Sequence, residues 1–363
     1  MAGELRKGKI KYRIGEMKNV NEIGLFDVEE RLMKLAEAND PLVRLKERVR
    51  WEQFRPVLEG VFKRSGSGKG GRPPFDYVMM FKILILQRYY NLSDERTEYQ
   101  ILDRLSFMRF LGLKISDKVP DAKTIWHFKE QLTNADVIEK LFETFLGSLT
   151  SAGLIMQEGS IVDASFVEVP VQRNKACENA EIKEGGTPEE WKEDKRKLAQ
   201  KDVDARWTKK NNQNFYGYKD HVKTDAKSKL ITKYEVTAAS VHDSQVLETL
   251  LDTADEKKPL YADSAYVGQD KMLEEKKVDA RIHEKGYRNR PLNEAQKEAN
   301  HEKSKVRARV EHIFGFIENS MGGSRIRCIG KTRAKATIGL INLTYNMFRA
   351  LQITRIKGIT ASI

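Results

Sequence analysis

The sequence predicts an α/β fold, a mixed sheet with flanking helices set behind an all-helical N-terminal segment, and three observations carry that prediction. Apolar residues recur at helical spacing from about Pro41 to Leu132, and from residue 160 strands alternate with helices. Two strand-like apolar runs, SIVDASF around Asp163 and LYADSAY around Asp263, each give up one position to a carboxylate. A long helical pattern, SKVRARVEHIFGFIEN, then carries Glu311 four residues after Arg307.

Residues 1–45 form an N-terminal extension, charged throughout, in which LFDVEERLMKLAEAN reads as a short amphipathic helix. Residues 46–150 form a helical domain interrupted at 65–75 by SGSGKGGRPPF, where Gly, Ser and Pro forbid a continuous element. DYVMMFKILILQRYYNLS is a strongly apolar helix, Ser93 is an N-cap for the helix DERTEYQILDRL, and SFMRFLGL follows. In VPDAKTIWHFKEQL, Asp121 caps a helix bearing Lys123, Trp126, His127 and Lys129. Short basic helices joined by a tight turn suit a helix-turn-helix that lays one helix in a DNA groove, and suit a plain bundle equally well. Arg72 in the glycine-rich loop is a candidate phosphate contact.

Residues 151–355 carry the sheet. SIVDASFVEVPV is its first strand, and residues 172–211 are a highly charged insertion. NFYGYKDHVKTD and KLITKYEVTAA are the next two strands, turned by DAKSK. The helix HDSQVLETLLDTA, the strand PLYADSAY, the helix QDKMLEEKK and the strand DARIHEK follow. His242 and Asp243 open the first of these helices, a position that suits Asp243 to capping. The long helix around Glu311 and a last amphipathic helix, RAKATIGLINLTYNMFRAL, complete the order β-β-β-α-β-α-β-α. That order matches a ribonuclease H-like sheet, with the three acidic residues on the first strand, the fourth strand and a later helix.

Composition narrows the partners. Among 363 residues, 65 Lys and Arg against 53 Asp and Glu give a net charge of +12, which suits a polyanion such as nucleic acid. The start MAGELRKGKIKYRIGEM lacks the apolar core of a secretory signal, and no run of about 18 apolar residues could span a bilayer, so a cytoplasmic protein is expected. Cys177 and Cys328 lack CxxC spacing and are expected to be reduced thiols. There is no GxSxG, and GSGKGGRPP lacks the P-loop order, so no nucleotide is expected.

A carboxylate inside an apolar strand is costly unless it is paired or bound to a cation. Divalent cations answer that need: Mg2+ takes hard oxygen ligands, and two ions about 3.5–4 Å apart can clamp the attacking and leaving oxygens of a phosphoryl displacement. Taken singly, Asp163 could end a strand, Asp263 could open a turn, and Glu311 could form a surface ion pair with Arg307 worth a few tenths of a kcal/mol. Jointly they point to a metal site.

The segments IVDASFVEVP, FYGYKDHVKTD, EVTAASVHDSQVLETLL, LYADSAYVG and RARVEHIFGFIE resemble a DDE transposase of a bacterial insertion sequence, of the insertion sequence 5-like branch, from about Pro41 to the C-terminus. The resemblance implies a ribonuclease H-like core in which Asp163, Asp263 and Glu311, 100 and 48 residues apart, are catalytic and hold two Mg2+ ions, with Mn2+ as a substitute. Water or a DNA 3′-hydroxyl would attack a phosphodiester at an element end, giving strand cleavage and then transfer into target DNA. Arg307 matches the Arg of the family signature, whereas Ser304 and Glu318 stand where that signature often has Tyr and Lys; Lys303, Lys305 and Arg309 can supply charge from the same helix. Tyr266, Lys219 and His221 are further candidates for DNA contact. The implied partner is double-stranded DNA, both element ends and target, engaged by a homodimer in a bacterial cytoplasm, nucleoid-associated. The alternatives are a catalytically silent DNA-binding regulator derived from such an enzyme, or a ribonuclease H-like nuclease that cuts without joining.

Overall fold

The computed structural model describes residues 24, 26–37, 40–62, 73–210, 212–359 and 362–363, so Arg72 and most of the predicted loop 65–75 lie outside the described residues. The chain divides into two compact units, 1–40 and 41–363. In the first, helix α1 (Asp27–Glu37) begins where the Asp27 carboxylate accepts the Gly24 N–H at 2.7 Å.

The second unit opens with α2 (Pro41–Arg48), α3 (Arg55–Phe62), α4 (Tyr77–Tyr89), α5 (Asp94–Asp103), α6 (Leu105–Leu111), α7 (Ala122–Asn134) and α8 (Ile138–Ser151). The expected caps hold: Ser93 accepts the Arg96 N–H at 3.2 Å, and Asp121 accepts the Thr124 N–H at 2.7 Å. Asp76 does the same for α4, which buries Val78, Met80, Phe81 and Ile83–Gln87. Trp51, Phe54, Phe81 and Phe110 form an aromatic cluster at its centre, with the Phe54 and Phe81 rings 4.8 Å apart.

Among the described residues the sheet has six strands: β1 (Ser160–Glu168), β2 (Arg206–Lys210), β3 (Gln213–Asp225), β4 (Ile231–Ala238), β5 (Pro259–Ala262) and β6 (Asp279–Ile282). β1 is antiparallel to β3 and parallel to β5, which is parallel to β6. β3 is long enough to pair with β2 over 213–217 and with β4 from 218 onwards, while β1 runs along its other edge. β2 belongs to the charged insertion and was not expected as a strand. An edge strand needs only one ladder and tolerates the charges of RWTKK. The rest of the insertion folds as α9 (Ala176–Lys183), α10 (Glu189–Glu193) and α11 (Lys195–Ala199) around a fully buried Trp191, whose indole N–H meets Glu178 at 2.8 Å. Asp202 ties this lobe to the sheet by accepting the Tyr218 hydroxyl at 2.8 Å.

Gly217 stands where β3 changes partners. Its φ of +148° is open to glycine almost alone, and an added Cβ would meet the Val167 carbonyl oxygen at 2.3 Å. Gly217→Ala is expected to cost about 3 kcal/mol, from backbone strain and a clash with main chain that cannot rotate away. Urea denaturation measures it, and a loss below about 1 kcal/mol would show that β1 shifts freely.

Beyond β4, the predicted helix at 242–254 shrinks to α12 (Leu247–Leu250) between 3-10 turns, followed after β5 by α13 (Asp270–Glu275). α14 (Glu294–Met321) is longer than its apolar period suggested, because Asn293 and Gln296 form a capping box well upstream. α15 (Lys331–Lys357) is not amphipathic as expected: Ile338 to Phe348 are all buried. It packs against β4 on one side and α8, α4 and α7 on others, so apolar residues are needed all round. Its polar residues are satisfied inside: Asn346 receives the Ile231 N–H at 2.9 Å and donates to the Ile231 carbonyl at 2.7 Å. One apolar core joins the helices α2–α8 to the sheet, α14 and α15, and a smaller one around Val162, Leu247, Leu260 and Tyr266 fills the other face. Among the described residues no helix is long and apolar enough to cross a membrane.

Candidate functional site

Asp163 lies in the middle of β1 opposite Val222, and the parallel register with β5 runs Ser160 beside Leu260 and Ile161 beside Tyr261. Two residues further on, that register sets Asp163 level with Asp263, at the point where β5 ends. Asp263 leaves the strand as the cap of a 3-10 turn, accepting the Ala265 N–H on Oδ1 at 2.8 Å. The Asp163 side chain, 14% exposed, accepts the Ala164 N–H at 2.9 Å and Arg307 Nη1 at 2.7 Å. Burial pushes its carboxyl up to about 6; Arg307 and the Ala164 N–H oppose this, and the neighbouring Asp263 adds to it.

Arg307 and Glu311 project from α14 onto this point. Arg307 Nη2 reaches Glu311 Oε1 at 3.1 Å, so a single guanidinium joins Asp163 to Glu311. Its Nε is buried without a hydrogen-bond partner among the described residues. Glu311 is 61% exposed and Val310, Ile313 and Ile317 anchor the helix in the core, which places Glu311 at the core's edge.

A family model described as "Transposase DDE domain" matches residues 156–347, more than half of the chain. The chain belongs to the DDE transposases. A second model, described as "Transposase domain (DUF772)", matches residues 30–131. A solved structure of piggyBac transposase, a synaptic complex with hairpin DNA, aligns with 92% of this chain and 77% of its own at 14% identity and a TM-score of 0.41, too distant a likeness to bear on the fold.

DDE transposases take their name from three acidic residues, and the chemistry of the donors here fits a divalent cation. All are hard carboxylate oxygens, and the burial of Asp163 makes its anion short of positive charge. The geometry is closed, however: among the described residues no three His, Cys, Asp or Glu side chains are gathered closely enough to hold a metal ion. Arg307 stands between Asp163 and Glu311 instead.

The other sequence-predicted residues scatter. Tyr266 is wholly buried with Val162 and Leu250, its hydroxyl without a partner among the described residues and held far above its usual pKa by burial, so no ring face is open to a base. Lys219 and His221 are inside the molecule rather than on a solvated edge, because β4 pairs along β3 and the segment after it, with Val241 and Asp243, lies against their face. Lys219 binds Asp243 and the Val241 carbonyl, both at 2.7 Å, so Asp243 is an ion-pair partner and His242 provides the cap. His221 contacts Thr237 at 2.8 Å, and burial depresses its pKa to about 4. Lys303 donates to the Ile282 carbonyl at 2.8 Å, Lys305 pairs with Glu302, and Arg309 turns away to the Ala226 carbonyl.

His283 is a residue the sequence reading missed. Its N–H bonds the Ala262 carbonyl at 3.1 Å, beside Asp263, and its ring is 3.3 Å from Ser304, the residue in the signature's Tyr position. Burial lowers its pKa, helped by Arg307 and Lys303 and opposed by Asp263. The signal was positional: His283 follows the end of β6 as Asp263 follows the end of β5, and strand C-terminal ends collect functional groups in α/β sheets.

Asp220 shares the Asp163 face of the sheet. It is fully enclosed, with a hydrogen bond at 3.1 Å from the Asn342 amide, and burial pushes its carboxyl up to about 7. The Asn342 carbonyl oxygen is buried without a donor among the described residues, which a protonated Asp220 can supply. Because the folded pKa is raised, the stabilising contribution is complete below about pH 4 and is lost as pH rises through about 7. Asp220→Asn should therefore stabilise at pH 8 by on the order of 2 kcal/mol and leave stability at pH 4 unchanged. Thermal melts at the two pH values measure the difference; equal shifts at both would refute it.

Proposed function

We propose that this DDE transposase cleaves DNA at insertion-sequence ends with divalent metal and then transfers the strand, as a member of the insertion sequence 5-like branch from a bacterium. The observation that carries the reading is the Arg307 bridge between Asp163, in the middle of β1, and Glu311 on α14, with Asp263 at the end of the adjacent parallel strand β5. The strand order, with antiparallel β1, β3 and β4 followed by parallel β5 and β6, supports a ribonuclease H-like core.

In this reading Asp163, Asp263 and Glu311 hold two Mg2+ ions, for which Mn2+ substitutes. When bound, the ions supply positive charge at the attacking and leaving oxygens of the phosphodiester. Asp163 must lose its proton to act as a ligand, which its raised pKa allows above about pH 6. Arg307 offers a planar fork, and its unpartnered Nε is a donor suited to a phosphate oxygen. The helices within residues 46–150 form the DNA-binding domain, with a helix-turn-helix among them. Two element ends must be held together, so the active form is a homodimer on DNA in the bacterial cytoplasm, at the nucleoid, without a nucleotide cofactor.

The test is incubation of the purified chain with end-containing duplex, a plasmid target and Mg2+. Cut ends and joined products are expected, and cleavage that persists undiminished in Asp263→Asn would falsify the reading. Cutting without joining would mark a nuclease, and binding without cutting a silent regulator.

A further inference from the structure

The β3–β4 turn, residues 226–230, is held rigidly and ringed by cations. Asp225 is buried and its carboxylate is occupied by the backbone N–H groups of Gln157 and Ser228, each at 2.7 Å. Arg309 donates to the Ala226 carbonyl at 2.6 Å, Arg349 to the Ser228 carbonyl at 2.8 Å, and Tyr345 to the Lys229 carbonyl at 2.8 Å. Lys229 Nζ lies 2.7 Å from His312 Nδ1. The acceptors recorded for Lys229, Arg309 and Arg349 are thus carbonyls, an amide oxygen and a ring nitrogen, with no carboxylate among the described residues. Glu158, brought to the turn from before β1, is taken by Lys227 at 2.7 Å. Burial lowers the Lys229 pKa, and the charges of Arg349 and Arg309 lower it further.

Three cations within one another's field, with no carboxylate hydrogen-bonded to any of them among the described residues, are less favourable in the free protein than around a bound anion. Their placement says which anion. Arg309 follows Arg307 by two residues on α14, about 200° round the helix, so the cluster flanks the helix on the edge opposite Arg307 and Glu311. The two edges are about one helix diameter apart, roughly 10–12 Å, a distance that one DNA duplex spans easily.

We infer that Lys229, Arg309 and Arg349 form a second seat for DNA, gripping neighbouring phosphates of one strand on the edge of α14 away from the carboxylates. The inference rests on the DNA-processing reading above and adds a surface to it. Two Arg forks and one Lys suit adjacent phosphates, which recur every 3.4 Å along a strand.

Binding of a fluorescent end-containing duplex, followed by anisotropy from 50 to 300 mM NaCl, tests it. Lys229→Gln should weaken binding about tenfold at the low-salt end and reduce the log–log salt slope by about one; Lys229→Gln with Arg349→Gln should reduce it by about two. The exposed Lys277, paired with Glu256, is the control: Lys277→Gln should leave the slope unchanged. Arg349 also holds the turn, so if the double variant melts early the single variant decides, since among the described residues the Lys229 side chain meets His312 and no backbone group. An unaltered slope in Lys229→Gln while the wild type binds and cuts DNA overturns this seat and leaves the proposed activity standing. A wild type that binds no DNA overturns both. Tight binding of inorganic phosphate that Lys229→Gln abolishes, with the DNA slope unmoved, would assign the cluster to a free anion and also overturn the inference.

Discussion

Asp163→Asn is expected to abolish end cleavage, by about three orders of magnitude or some 4 kcal/mol of barrier, while raising the melting temperature at pH 8. The two halves have one cause. Asp163 sits deep in β1 with Arg307 as its one charged hydrogen-bond partner among the described residues, and burial outweighs that partner enough to lift its pKa to about 6. A carboxylate with a raised folded pKa stabilises fully below its unfolded pKa near 4 and progressively less as pH rises through about 6. The neutral amide fills the same space without that loss. The gain should be about 1–2 kcal/mol at pH 8, discounted because the side chain is not sealed off, and should vanish at pH 4. Melts at both pH values and single-turnover cleavage are the measurements. An inactive variant that is destabilised at pH 8 would mean that the Arg307 bond outweighs the burial, and that Asp163 serves the fold.

How much of this was legible beforehand differs residue by residue. SIVDASF and LYADSAY were readable because a strand alternates sides, and a carboxylate in an apolar run stands out wherever the strand sits. The alternation of Lys219 and His221 was equally visible, but period two says only that they share a face. Whether that face is open depends on β4 and on Asp243, which come from distant sequence. β2 was hidden because RWTKK has the charge of a surface loop, and only the long unpaired edge of β3 makes it a strand. α15 read as amphipathic because Asn342, Thr344 and Asn346 break its apolar run. Their partners are Asp220, the Leu340 carbonyl and Ile231, and two of those three lie more than a hundred residues away. Asp163 and Glu311 are linked only through Arg307, and nothing in RARVEH announces that its guanidinium would stand between them.

That position of Arg307 makes Arg307→Gln the second large effect, one in which binding and turnover move in opposite directions. The guanidinium neutralises Asp163 and Glu311 at 2.7 and 3.1 Å, so it competes with a divalent cation for the same oxygens. Removing it should tighten Mn2+ binding several-fold, read by electron paramagnetic resonance, because two carboxylates lose their internal counter-charge. Cleavage should nevertheless fall about a hundredfold, the scale for losing one preorganised donor to a developing oxyanion. The buried, unpartnered Nε points the same way: a donor left over inside the protein is a cost unless a ligand oxygen meets it. Arg307→Lys separates charge from fork. It should restore wild-type Mn2+ affinity yet recover little cleavage, since an ammonium cannot present two parallel donors. Weaker Mn2+ binding in Arg307→Gln would show instead that the guanidinium draws the carboxylates together, and that metal binds with it in place.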